Sequence, residues 1–385
     1  MLARKYLLNP FYIYSITLFA VMLLYNNNWV DFYLPLNPIT VIILIVYILL
    51  NFGAGLFWHF LKFDYVDVNL FKVKSNRIYG RKLYIIGCVL IIAECVLQTP
   101  PILGYVKYTE FGYPIIHVVS LCFINVGLLL LIVSNCLDRT TYKYILFAFL
   151  LSILIVNRFQ ILTVLLLAVI YFFNSRNINF KYIIIGFIGA AGIVWGFGEL
   201  GIYRMKEILD IDYQQAKNYI LIAGHASDLY KSYNFPISFF WLFLYITSPL
   251  ANFNYNVIIN SNFHCFSNVG ELIVNEILPQ TISKHFLNYS HIEPSLLVDN
   301  FNVSMGIVGV YNYLGFLGIL IYFLYTFLLL SISRYLVRKN KYIKMALTIN
   351  FTLYIPFLIF FNIQVMPVYL YSVILLVLYG MRYND

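Results

Sequence analysis

Two stretches without a single formal charge, Ile115 to Asn135 and Val310 to Leu330, limit what this chain can become. As helices rising about 1.5 Å per residue, both are long enough to match the roughly 30 Å hydrocarbon core of a bilayer. Backbone in hydrocarbon must satisfy its own hydrogen bonds, so runs this continuous read as spanning helices. Of the whole chain, 62% is hydrophobic and 11% charged, whereas soluble domains carry about 25% charged residues. The expected class is all-α: a polytopic membrane protein whose residues 1–385 form one integral membrane domain.

Ten spans are expected, at about 9–25, 38–61, 83–98, 114–136, 144–157, 160–174, 182–198, 308–333, 345–362 and 366–381. Basic residues favour the cytoplasmic side of short loops. Arg4 and Lys5, Lys62 to Lys82, Arg139 and Lys143, Arg176 and Lys181, Arg334 to Lys344 and Arg382 account for 18 of the 25 Lys and Arg. All fall on one side if both termini are cytoplasmic. The net charge of +9 is therefore a topology signal, and nucleic acid is not an expected partner. The first apolar run has no small-residue cleavage site, so it reads as an uncleaved span. Of the five cysteines, Cys88, Cys95, Cys122 and Cys136 lie in or beside apolar runs, and only Cys265 sits in a large polar loop. A disulfide is not expected there.

The stretch SILIVNRFQILTVL, Ser152 to Leu165, tests this topology. It puts Arg158 between two apolar runs that are each short for a span. Read as one long helix, it would reverse every later loop and move the Arg334 cluster outside. Read as a hairpin, it keeps the 18 basic residues together and puts Arg158 at an outward turn. The hairpin is the expectation. Residues 199–307 then form one large outward loop. Within it, Phe235 to Leu250 is a second apolar run bounded by Pro236 and Pro249. An even number of crossings must separate its flanks, so a re-entrant or interfacial helix is expected.

Several residues on this outward side have chemistry to offer. A guanidinium near the membrane surface has a two-pronged fit to phosphate, which makes Arg158 a candidate anion ligand with Asn157 and Gln160 beside it. The ordinary alternative is a snorkelling arginine. Arg204 and Lys206, with Tyr203, follow the seventh span and suit a second clamp on a diphosphate, or simply a solvated helix. His225, His291 and Glu293 are candidate proton acceptors. Tyr245, Ser248 and Asn252 combine hydroxyl and amide groups with an aromatic face, as sugar recognition needs. Gly306, Gly309, Gly315 and Gly318 read mainly as close helix packing. Histidines and cysteines are too scattered for zinc, so no metal and no cofactor is expected. His59, Glu94 and His117 are intramembrane polar groups, too few for the ion path of a secondary transporter.

The chain as a whole resembles the bacterial O-antigen polymerases, a family of C-type glycosyltransferase-like membrane proteins. The resemblance rests on its architecture and on four features: the Asn157-Arg158-Phe159 hairpin, Arg204 after the seventh span, the stretch Tyr245 to Asn252, and the glycine-rich start of the eighth span. It implies an inner-membrane enzyme that polymerises undecaprenyl-pyrophosphate-linked oligosaccharide units at the periplasmic face, in contact with membrane lipid. It also leaves a place for a partner protein that regulates chain length. An O-antigen ligase shares the architecture, and a flippase or transporter is the reading without catalysis.

Overall fold

A computed structural model describes residues 9–63, 74–103, 106, 110–134, 139–175, 189, 192, 195–196, 198–199, 201–203, 205–206, 209–233, 235–260, 268–286, 292–298 and 301–382. The described chain is helical, and its only strand-like pairing is the isolated bridge Val30–Ala226. Five helices are long and apolar enough to cross a membrane: Pro38–Phe60, Asn76–Leu103, Pro114–Ser134, Val308–Leu336 and Lys341–Ile359. This is the pattern of a membrane-embedded helical protein. Shorter apolar helices accompany them at Pro10–Tyr25, Thr140–Leu154, Phe159–Tyr171 and Pro367–Arg382.

In chain order the helices are α1 (Pro10–Tyr25), α2 (Pro38–Phe60), α3 (Lys74–Gln98), α4 (Pro114–Ser134), α5 (Arg139–Leu154) and α6 (Arg158–Ser175). There follow α7 (Tyr213–Ala223), α8 (Asp228–Ser232), α9 (Ile237–Ile259), α10 (Val269–Leu272), α11 (Gln280–Ser283), α12 (Val308–Leu336), α13 (Lys341–Tyr354) and α14 (Pro367–Arg382). Local chemistry starts several of them. Asn9 and Asn37 cap α1 and α2 with their side-chain oxygens, and a proline occupies the first turn of each. Such caps satisfy amides that a helix start leaves open.

One apolar core runs through most of the helices. Trp58 is fully buried, meets Phe11 edge-on at 5.2 Å and donates from Nε1 to Ser331 Oγ at 2.9 Å. Outward from this core, Ile16, Ile42, Leu49, Phe60 and Val96 are each more than half exposed, an apolar surface that lipid would cover. A second, smaller cluster packs Val30 with Ile202, Ala216, Ile220, Tyr230, Phe240 and Phe243. It joins the segment after α1 to α7, α8 and the start of α9.

The Ser152–Leu165 stretch folds as two helices. Ile155, Val156 and Asn157 form the turn between α5 and α6, with Val156 at a positive φ of 52°. Arg158 is the first residue of α6 rather than part of the turn, because Asn157 caps that helix: its Oδ1 accepts from Gln160 N at 2.9 Å. The helix expected over the apolar run Phe235 to Leu250 instead continues to Ile259 as α9, with Pro249 inside it. Proline deletes one helical hydrogen bond but does not forbid the next turn when neighbours support it. Here Asn252, Asn254 and Asn256, all buried, tie that next turn to surrounding chain. The expected seventh span at 182–198 lies largely outside the described residues.

Candidate functional site

Two interruptions of regular helix line one polar cavity, and a third kinks α12 beyond its lining residue Gly309. The first follows α10, where Ile273–Ile277 widens into a π turn closed by Leu278 N donating to Ile273 O at 2.9 Å. Pro279 then ends it, having no amide to continue. Such π turns insert an extra residue and often mark functional positions. The second lies between α13 and α14, where short 3-10 turns at Ile355–Ile359 and Ile363–Val365 flank Phe360, Phe361 and Asn362. Prolines 356 and 367 each remove an amide that a continuous helix would need. The third is in α12, where Leu314 and Gly315 leave helical geometry and Gly315 takes φ 58°, ψ −140°. That conformation is open almost only to glycine.

The cavity measures about 470 Å³, within the roughly 300–1,000 Å³ typical of small-molecule sites. Glu276, Glu293, Asn302, Ser304, Gly309 and Asn362 are among the residues that line it. Glu276 is 7% exposed, whereas Glu293 is exposed. Asn362 Nδ2 donates to Glu276 Oε2 at 2.9 Å and to its backbone carbonyl at 2.8 Å. Tyr322 in turn donates its hydroxyl to Asn362 Oδ1 at 2.5 Å. Burial raises the Glu276 carboxyl from 4.5 to about 7, with the Asn362 hydrogen bond pulling the other way. Among the described residues no other group hydrogen-bonds to this carboxylate, which leaves Oε1 lying against Gly309.

Neighbouring chain holds the two carboxylate segments together. The hydroxyl of buried Tyr313 accepts from Asn275 Nδ2 at 3.0 Å and from Ile292 N at 2.9 Å. These partners directly precede Glu276 and Glu293. From α9, Asn252 Oδ1 accepts from Leu297 N at 2.9 Å, and its Nδ2 donates to the carbonyls of Phe301 and Val303 at 2.7 and 2.8 Å. Asn256, one turn on, makes a reciprocal pair with the backbone of Ser295. The expected sugar ligand Asn252 is thus spent on fixing the loop behind the cavity. Ser248 is also buried, and Tyr245 is exposed, with its ring 6.4 Å from that of Phe360 in the cavity wall.

The other expected site residues scatter. Gln160 is buried in a reciprocal amide pair with Asn125, at 2.6 and 3.2 Å, and Asn125 also donates to the Tyr354 hydroxyl at 2.9 Å. Phe159 connects α6 to the site: its ring lies 5.0 Å from Phe357 and 5.6 Å from Phe361, which lines the cavity. The helix start that carries Arg158 therefore stands against the cavity wall. His225 is exposed, at a positive φ of 48°, with its ring edge-on to Phe32 at 5.2 Å and away from the cavity lining. Tyr203 is exposed beside Tyr213, whose hydroxyl donates to Glu199 and is pushed up to about 12 chiefly by that hydrogen bond. Lys206 is half-buried. Arg204 and His291 lie outside the described residues. Glu94, 2% exposed, pairs with His117 Nδ1 at 2.8 Å, which makes this intramembrane acid a partnered one.

Among the described residues no three His, Cys, Asp or Glu side chains converge as a metal site would need. Glu276 and Asn362 were missed by sequence reasoning. The available signal was a lone carboxylate in the apolar run Ile-Val-Asn-Glu-Ile-Leu, Ile273 to Leu278. A charged residue in such a run costs free energy and calls for a partner. Comparison of the chain with protein-family models, curated proteins and solved structures finds no match.

Proposed function

We propose that this chain is a membrane glycosyltransferase of the O-antigen polymerase type. It would transfer a growing glycan from undecaprenyl pyrophosphate to a hydroxyl of an incoming lipid-linked unit. In this reading ten spans cross a bacterial inner membrane, both termini are cytoplasmic, and the 199–307 segment is periplasmic. The observation that carries the reading is the nearness of two unlike features: a cavity lined by Glu276 and Glu293, and the start of α6 with Arg158, joined through Phe159 and Phe361. Glycosyl transfer from a diphosphate needs both kinds of group. Positive charge and a helix N-terminus stabilise the departing diphosphate. Carboxylates and amides orient sugar hydroxyls. In this reading Arg204 and Lys206 are further cations for the diphosphate.

A transporter is the second reading, favoured by the helix interruptions at Phe360–Asn362 that border the cavity, since discontinuous helices form the binding sites of many transporters. Gene deletion separates the two. Loss of the polymerase leaves lipid A-core capped by a single repeat unit, and loss of a flippase or ligase leaves it uncapped. Arg158→Lys, at unchanged protein level, should abolish long chains, because an ammonium cannot reproduce the two-pronged contact. Normal chain length in Arg158→Lys would remove that arginine from the site.

A further inference from the structure

We infer that Glu276 is the group that takes the proton from the acceptor hydroxyl, and that Asn362 positions it. The assignment rests on the glycosyltransferase reading and deepens it. In the step, the acceptor oxygen bonds to the donor's anomeric carbon while its proton passes to the Glu276 carboxylate. The anomeric carbon–oxygen bond breaks, and its electron pair leaves with the lipid diphosphate. The proton is then released to water.

Three observations select Glu276 over His225 and Glu293. It is buried in the cavity wall, where a sugar hydroxyl displaces water, whereas His225 is exposed and outside the lining and Glu293 is exposed. Asn362 engages one carboxylate oxygen and the backbone carbonyl together, which fixes the plane of the group. Oε1, the remaining oxygen, lies at Gly309, itself part of the lining.

The titratable neighbours are Glu293, then Tyr313, Tyr322 and Tyr325 on α12, Tyr371 on α14 through Thr281, and Glu271 on α10. None of the described residues lining the cavity is Lys, Arg or His. Burial lifts the carboxyl to about 7, and a general base works best with a pKa near the working pH.

The test uses membrane vesicles carrying the full-length chain and purified lipid-linked repeat units. With the wild-type chain, polymer formation should rise with pH through about 7 as the carboxyl ionises. Glu276→Gln should lower the rate by about 100-fold or more, with the dependence on lipid-linked substrate concentration unchanged. Asn362→Ser weakens the hydrogen bond that favours the ionised form, so the rising limb should move to higher pH. A Glu276→Gln rate near wild type overturns the assignment while leaving the polymerase reading intact. Wild-type vesicles that make no polymer sink the polymerase reading, and this assignment with it. If Glu276→Gln fails to accumulate, the Asn362→Ser limb decides: a shift supports the assignment and an unmoved limb overturns it.

Discussion

Gly309 and Glu276 compete for the same space: a Cβ on Gly309 would lie 2.0 Å from Glu276 Oε1. The glycine is there to admit the carboxylate as much as to pack helices. Gly309→Ala should expel the side chain or shift α12, at a cost of about 1–3 kcal/mol for overpacking. Chain-length profiles should collapse to single units while a weakened but folded protein remains. Full-length chains at normal thermal stability would show that the carboxylate does not occupy this space.

The buried carboxyl also makes stability depend on pH. Below about 4.5 Glu276 is protonated in both folded and unfolded chains. Between about 4.5 and about 7 only the unfolded chain ionises, so stability falls as pH rises. Above the folded value the loss is complete, on the order of 3 kcal/mol. Thermal melts in detergent should show wild type losing ground to Glu276→Gln across that window. Parallel curves for the two proteins would argue against a buried, unpaired acid.

Gln160 and Asn125 satisfy each other in the interior. Gln160→Leu leaves the Asn125 Oδ1 without its donor, at about 1–3 kcal/mol, while Asn125 Nδ2 keeps Tyr354. The double variant Gln160→Leu with Asn125→Leu should recover much of that loss, as a double-mutant cycle on melting temperature would read. Loss of substrate affinity at unchanged stability would instead return Gln160 to the binding site.

Asn252 clamps Leu297, Phe301 and Val303. Replacing it with Leu should raise hydrogen exchange across the described parts of 292–303 and leave α12 protected. Unchanged exchange in that loop would mean the asparagine is redundant there.

Much of the helical layout was legible because its causes are local. The apolar runs are read from composition within a window, and the α5–α6 turn from the interruption at Asn157-Arg158. The continuation of α9 past Pro249 was not legible. Proline and three asparagines look like a helix end, and only their buried partners on distant loops show otherwise. Glu293 was recognisable as a polar group of the expected outward loop. Glu276 was not, since its partner Asn362 is 86 residues away and its space is made by Gly309.

The sequence by itself determined that this chain is helical and built for a membrane, because hydrocarbon thickness and the cost of charge act on each segment separately. Only the tertiary structure decided which polar groups share a cavity. Asn252 and Gln160 have the side chains of ligands, yet contacts far along the chain commit them to holding the fold. Distant contacts likewise turn Glu276, a lone acid in an apolar run, into the buried carboxylate of the site.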